Sequence, residues 1–128
     1  MTDIHYVLAS TVLTWLMVLT APTIRNREWT AAGLVIGFGN RDVLPEPTPL
    51  AGRADRAARN MMENMVLFLG AFVACHAAGK SQTSGAATFF IARLAYWFVY
   101  LIGIPYLRTA LWVVGLFGIG WIGVTALG

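Results

Sequence analysis

Long apolar runs alternate with short polar breaks along the chain. The first run covers residues 4–24 and ends near Pro22, which matches the roughly 20 residues that a bilayer-crossing helix needs. Three more spans are predicted over about residues 54–78, 86–104 and 106–127. The pattern therefore predicts an all-α integral membrane protein, a four-helix bundle that forms one domain over residues 1–128.

The connections between these spans differ in length and character. The polar stretch "GKSQTSG" joins spans two and three and favours an antiparallel helix pair, while Pro105 predicts a break or kink between spans three and four. The one long connection, residues 25–52, contains Gly33, Gly37, Gly39, Pro45, Pro47 and Pro49, which argues against a continuous helix. Within it, "AAGLVIGFGN" is apolar but too short to span, so we expect it at the interface or over the helix ends.

Composition and charge narrow the class of protein further. The chain is 58% hydrophobic and 12% charged, and its net charge of +3 is too slight to indicate a nucleic-acid partner. The first run lacks the basic segment of a signal peptide and is interpreted as a retained transmembrane helix. Because six arginines cluster around the long connection and only Lys80 marks the other side, residues 25–52 are predicted in the cytoplasm and both termini outside.

Ionisable residues run directly into the second span, in the stretch "RADRAARNMMENMVLF". At helical spacing Arg56, Asn60 and Glu63 share one stripe with Gly70 and Ala74, while Met61, Met65, Phe68 and Phe72 lie opposite. Small residues let another helix approach closely, and ionisable groups inside a membrane face a bundle interior or a wet cavity. The stripe is therefore predicted to be buried against other helices, with a polar pocket at its cytoplasmic end.

The third span carries a matching stripe of Arg93, Tyr96 and Tyr100. Arg93 lies inside that span and needs a partner, for which Glu63 or a bound anion is expected. Arg108 follows the Pro105 break, near the level at which the pocket opens.

Plainer interpretations exist for several of these residues. Arg53, Arg56 and Arg59 also suit membrane-flanking charges that reach lipid headgroups, and Arg59 has the spacing of a local ion pair with Glu63. Interface anchoring is an alternative for the tyrosines and the favoured interpretation of Trp29 and Trp112. No metal site is predicted, because His5 and His76 lack acid or cysteine partners, and Cys75 is assigned to packing.

"RADRAARNMMENMVLF" followed by "ARLAYWFVYLIGIPYLRT" resembles the MAPEG family, the membrane-associated proteins of eicosanoid and glutathione metabolism. The family pattern of an arginine, an asparagine and a glutamate is matched by Arg56, Asn60 and Glu63. In the third helix, the family has an arginine followed by two tyrosines, which are matched by Arg93, Tyr96 and Tyr100. The proline and arginine that follow in the family are matched by Pro105 and Arg108. The compact first loop is more similar to bacterial members, and Asn64 stands where some eicosanoid enzymes carry tyrosine.

The resemblance implies a homotrimer of four-helix subunits in a membrane, here a bacterial inner membrane, with sites between neighbouring subunits. It implies glutathione as cosubstrate, a lipophilic small molecule as acceptor, and Arg108 as the catalytic residue that stabilises the thiolate. The residues it assigns to glutathione binding are Arg56, Asn60, Glu63, Arg93, Tyr96 and Tyr100. The predicted function is a glutathione-dependent transferase or peroxidase acting on lipophilic electrophiles or lipid hydroperoxides.

Two other classes of function are alternatives to this one. A non-catalytic trimeric membrane protein would bind an anionic lipid or amphiphile with the same arginines. A small multidrug transporter would need a carboxylate inside the first span, and residues 4–24 contain none.

Overall fold

The computed structural model describes residues 1–128 and is all-helical, with five helices and no strand. The helices are α1 (Asp3–Asn26), α2 (Ala31–Phe38), α3 (Pro49–Ala77), α4 (Thr83–Ile102) and α5 (Pro105–Leu127). The four long helices pack against one another, and the short α2 packs only on α1. The all-α prediction is confirmed.

Three of the long helices, α1, α4 and α5, are long and apolar enough to cross a bilayer. The expectation of four such spans is met only in part, because the first half of α3 carries Arg53, Asp55, Arg56, Arg59 and Glu63. Only 26 of the 128 residues are buried, so most apolar side chains of these helices face outward, as a lipid environment requires. The protein is therefore a membrane protein.

The observed ends of the helices agree only in part with the bounds predicted from the sequence. α1 continues past Pro22 to Asn26, and α3 begins at Pro49, earlier than predicted. Its start is fixed by Thr48, whose side chain accepts a hydrogen bond from Ala51 N–H, and by Pro49 in the first helical position. The apolar stretch in the long connection forms α2, which at 8 residues is too short to span, as expected.

The predicted break before α5 is confirmed. α4 ends at Ile102, Gly103 adopts a left-handed conformation with φ of 92°, and α5 begins with Pro105 in its first turn. This break reverses the chain, so α4 and α5 pack side by side over their full length.

Glycines on α5 permit this close packing. A Cβ placed at Gly118 would lie 2.8 Å from the carbonyl oxygen of Gly85 and 2.9 Å from the Phe89 nitrogen. A Cβ at Gly115 would lie 3.2 Å from Arg93 Cδ. Gly115 and Gly118 are buried against α4, although their spacing does not match the GxxxG pattern.

The core of the chain lies on the bulky face of α3. Met61, Met65 and Phe68 are buried, and the Phe68 ring stacks on Phe89 with centroids 4.1 Å apart. Gly70 and Ala74 on the opposite stripe are exposed. Within one chain the small and polar stripe is therefore not buried, because the bulky apolar face of α3 makes the contacts with the neighbouring helices. Burial of the stripe against a second subunit stays a prediction.

Candidate functional site

A polar cavity of about 390 Å³ opens between α3, α4 and α5, at the end of the molecule where α3 begins and α4 ends. We call it the main cavity. Its volume is in the range typical of small-molecule sites. Its lining residues are Arg56, Arg59, Asn60, Glu63, Tyr96, Tyr100, Arg108, Thr109 and Trp112.

Six of the seven residues that the sequence singles out line this one cavity. Arg56, Asn60 and Glu63 project from successive turns of α3, as their spacing predicts, and Tyr96 and Tyr100 come from successive turns of α4. Arg108 joins them from the first turn of α5, which the break at Gly103 and Pro105 turns back toward α3. Residues far apart in the chain thus meet at one polar site.

Tyr100 lies between two arginines from different helices. Arg56 Nε donates a hydrogen bond to the Tyr100 hydroxyl at 3.1 Å, and the Arg108 guanidinium carbon lies 4.7 Å from the centre of the Tyr100 ring. A cation at that distance from an aromatic face is attracted by the ring quadrupole. Tyr100 therefore contacts both guanidinium groups.

Arg93, the seventh predicted residue, lies beneath the cavity and is fully buried. Its Nη2 donates to Asn60 Oδ1 at 2.7 Å, its Nε lies 3.4 Å from Met61 Sδ, and its guanidinium carbon is 4.2 Å from the Tyr96 ring centre. Its Nη1 has no hydrogen-bond partner.

Of the two partners expected for Arg93, Glu63 does not pair with it in the chain, and a bound anion stays a prediction. The partner of Arg93 within the chain is the neutral side chain of Asn60, while Glu63 is exposed and forms no ion pair. The physical reason is the position around the helix: Asn60 lies about 60° nearer than Glu63 to the buried face of α3 that carries Met61, and it is half-buried while Glu63 is exposed. No carboxylate of the chain compensates the buried guanidinium.

Three residues of the cavity wall were not predicted as site residues. Arg59 forms the only ion pair of the chain, with Asp55 at 3.0 Å, and not with Glu63. Trp112, interpreted from the sequence as an interface anchor, has a buried indole N–H without a partner. Thr109 follows Arg108 and donates to the Pro105 carbonyl at 3.2 Å. For Trp112, the helical spacing of four residues from Arg108 was the available signal.

Arg53 makes a contact within the chain that the sequence did not predict. Its Nε donates to the Leu101 carbonyl at 3.2 Å, and its guanidinium carbon would be 3.5 Å from a Cβ at Gly103. Arg53 thus ties the first turns of α3 to the end of α4. Beside it lies a small cavity of about 80 Å³, lined by Arg53, Arg56, Tyr100, Gly103, Ile104, Pro105 and Arg108.

The main cavity can hold a small polar anion. Three arginines line it against one carboxylate, Glu63, and one of these arginines is already paired with Asp55. Guanidinium groups bind carboxylates through two parallel hydrogen bonds, and a glutamate is the natural partner of an ammonium group. The cavity therefore suits a ligand with more than one carboxylate and a single amine.

Comparison with known proteins identifies the family of the chain. The family model described as MAPEG family matches residues 4–128, which is nearly the whole chain. No curated protein and no solved structure is significantly similar to it. The extent of the family match leads to one conclusion: the chain belongs to the MAPEG family.

Proposed function

We propose that the protein is a glutathione-dependent membrane enzyme, a transferase or peroxidase that acts on lipophilic electrophiles or lipid hydroperoxides. The MAPEG family includes glutathione-dependent enzymes and non-catalytic members. The observation that carries the proposal is the convergence of Arg56, Asn60, Glu63 and Arg108 with two tyrosines on one cavity. Arginines that only flank the membrane would not need to meet an asparagine, a glutamate and two tyrosines in one cavity.

Glutathione and the cavity are complementary in charge. The peptide has two carboxylates and one ammonium group, and the cavity wall has arginines together with the single carboxylate of Glu63. Arg56 is oriented by Tyr100 through its Nε, which leaves its Nη groups for a carboxylate of the peptide. Glu63 has no partner in the chain and is available to the ammonium group. Asn60 is held by Arg93 and supports the floor of the site.

Arg108 is the proposed catalytic residue. Its guanidinium lies over Tyr100 and makes no hydrogen bond within the chain, so its donors are free to face a thiolate. A free thiol has a pKa of about 8.5, and a neighbouring cation lowers this value toward neutrality. The thiolate is the nucleophilic form, so Arg108 would raise the reactive fraction of bound glutathione at neutral pH.

Two reactions follow from a thiolate at this place. In conjugation, the sulfur forms a bond to an electrophilic carbon and the leaving group departs with the electron pair. In peroxide reduction, the sulfur attacks the distal oxygen, the O–O bond breaks, and the lipid alkoxide takes a proton to become an alcohol. The resulting sulfenic acid reacts with a second glutathione to give the disulfide and water.

We also propose that the enzyme is a homotrimer with sites between neighbouring subunits. The stripe of Glu63, Gly70 and Ala74 is exposed on the single chain, so it is available for contact with a second copy. Small side chains at such positions allow close approach of helices within a membrane. The acceptor would then reach the site from the bilayer and glutathione from water. The long connection, residues 25–52, would be cytoplasmic in a bacterial inner membrane, with both termini outside.

The second candidate is a non-catalytic trimer that binds an anionic lipid or amphiphile in the main cavity. The outward apolar faces of α1, α4 and α5 support lipid association, and the arginines would hold an anionic headgroup equally well. The two candidates differ in whether the site selects a thiol.

Purified protein in detergent tests this difference by two measurements, glutathione binding by calorimetry and conjugation of glutathione to chlorodinitrobenzene. We expect saturable binding that Arg56→Ala weakens and that Arg41→Ala, an exposed arginine outside the cavity, leaves unchanged. Absence of saturable glutathione binding in the wild type would refute the enzyme proposal. Binding without turnover would favour the non-catalytic candidate.

A further inference from the structure

The small cavity is surrounded by positive charge without compensation. Three guanidinium groups, those of Arg53, Arg56 and Arg108, line it, and no carboxylate does. Arg53 and Arg56 belong to adjacent turns of α3, while Arg108 comes from the start of α5. Like charges at close range repel one another, so this arrangement is most stable with an anion between them.

Each of these guanidinium groups is oriented but retains free donors. Arg53 is held through Nε by the Leu101 carbonyl, and Arg56 is held through Nε by the Tyr100 hydroxyl. The Nη groups of both make no hydrogen bond in the chain, and Arg108 is positioned only by its contact with the Tyr100 ring. An arginine fork with both Nη groups free has the geometry that binds phosphate oxygens in pairs.

Size and position restrict the ligand. A volume of about 80 Å³ corresponds to roughly two to three water molecules, which admits one phosphate group but no peptide. The cavity lies at the ends of the membrane-crossing helices α4 and α5, where lipid headgroups lie. Ile104 in its wall is 43% exposed, and the adjacent Ile102 is 71% exposed, which leaves an apolar path for acyl chains.

We propose that the small cavity binds the phosphate group of an anionic phospholipid. Arg56, Tyr100 and Arg108 line the main cavity as well, so the headgroup and glutathione share two guanidinium groups. Anionic lipid therefore weakens glutathione binding, a consequence that rests on the proposed function. Arg53 lines only the small cavity and separates the two sites experimentally.

The lipid arm of the test uses protein in phosphatidylcholine vesicles with a trace of spin-labelled phosphatidylglycerol or spin-labelled phosphatidylcholine. Electron paramagnetic resonance measures the fraction of each label that the protein immobilises. We expect a preference for phosphatidylglycerol that Arg53→Gln reduces roughly fivefold, the effect of one arginine at a membrane surface. Arg41→Gln removes the same charge from an exposed position outside both cavities and should retain most of the preference.

A second variant keeps the test decisive if Arg53→Gln does not fold. Ile104 precedes the first turn of α5 at the N-cap, where aspartate is well tolerated, and it lines the small cavity. Ile104→Asp places a carboxylate among the three arginines and should also remove the preference. Equal losses in the Arg53 and Arg41 variants, or an unchanged preference in both Arg53→Gln and Ile104→Asp, would overturn the site.

Inorganic phosphate is the alternative ligand of the small cavity, because it presents the same phosphate oxygens as a lipid headgroup. Inorganic phosphate that binds with Arg53 dependence, while phosphatidylglycerol shows none, would overturn the lipid assignment. The glutathione arm compares calorimetric binding in vesicles with and without phosphatidylglycerol, and we expect weaker binding with it. If glutathione does not bind in either vesicle, the proposed function fails while the spin-label result still decides the lipid site. If glutathione binds equally in both vesicles, the competition between the two sites is refuted.

Discussion

Arg93 Nη2 donates a hydrogen bond to Asn60 Oδ1 at 2.7 Å, and this is the only hydrogen bond to an oxygen that the buried guanidinium makes. The bond joins α3 to α4 directly beneath the main cavity. A buried charge with a single neutral partner is costly to leave unpaired. The stability of the helix pair therefore depends on Asn60.

Replacement of Asn60 by alanine should lower the free energy of unfolding by about 1–3 kcal/mol, because Arg93 loses its acceptor. Asn60→Asp keeps an oxygen at this position and should recover most of the loss. Thermal unfolding in detergent without glutathione measures both. Asn40→Ala, at an exposed position, is the matched control. Equal midpoints for the Asn60 and Asn40 variants would contradict the prediction.

Gly115→Leu should destabilise the protein by about 1–3 kcal/mol, since the new side chain meets Arg93 Cδ across the α4–α5 contact. Gly120→Leu is on the same helix with no neighbouring atom within 4 Å and should have little effect. The difference between the two unfolding midpoints tests the packing. A larger loss in Gly120→Leu would show that α5 packs through another face.

Tyr100→Phe should raise the dissociation constant for glutathione about fivefold, because Arg56 loses its 3.1 Å hydrogen bond while Arg108 keeps the aromatic ring. Isothermal titration calorimetry measures the change. Tyr106→Phe removes a hydroxyl from a side chain that is 89% exposed and serves as control. Identical affinities in the two variants would mean that Tyr100 does not orient Arg56 for the ligand.

Arg108→Ala should lower kcat for conjugation by roughly 10²–10³-fold, the usual loss when one charge-stabilising donor is removed. The pKa of the bound thiol should rise toward its free value of about 8.5, which the pH dependence of thiolate absorbance measures. Glutathione affinity should change much less than kcat. Equal losses in affinity and turnover would make Arg108 a binding residue instead.

The sequence was sufficient for features that depend on local spacing. The all-helical fold, the turn before α4 and the break at Pro105 follow from apolar runs and from proline and glycine chemistry. Helical spacing also placed Arg56, Asn60 and Glu63 on a common wall. The spacing is local, so a single helix is enough to predict it.

Features that depend on two helices at once were not predictable. The sequence shows that Arg93 needs a partner, but the choice of Asn60 over Glu63 depends on how α3 rotates against α4. The tie between Arg53 and Leu101 joins residues 48 positions apart. Which face of α3 is buried was also decided by packing, because the single chain buries the bulky face and leaves the small one outside.

The buried pairing of Arg93 with Asn60 also has a consequence for biogenesis. An arginine in the middle of α4 would cross the bilayer at a cost of about 2.5–3.5 kcal/mol if that helix inserted by itself. α3 is synthesised first, carries the acceptor, and is itself too charged in its first half to be a strong independent span. The short polar turn between them lets both helices leave the insertion machinery together. We therefore expect α3 and α4 to enter the membrane as one hairpin.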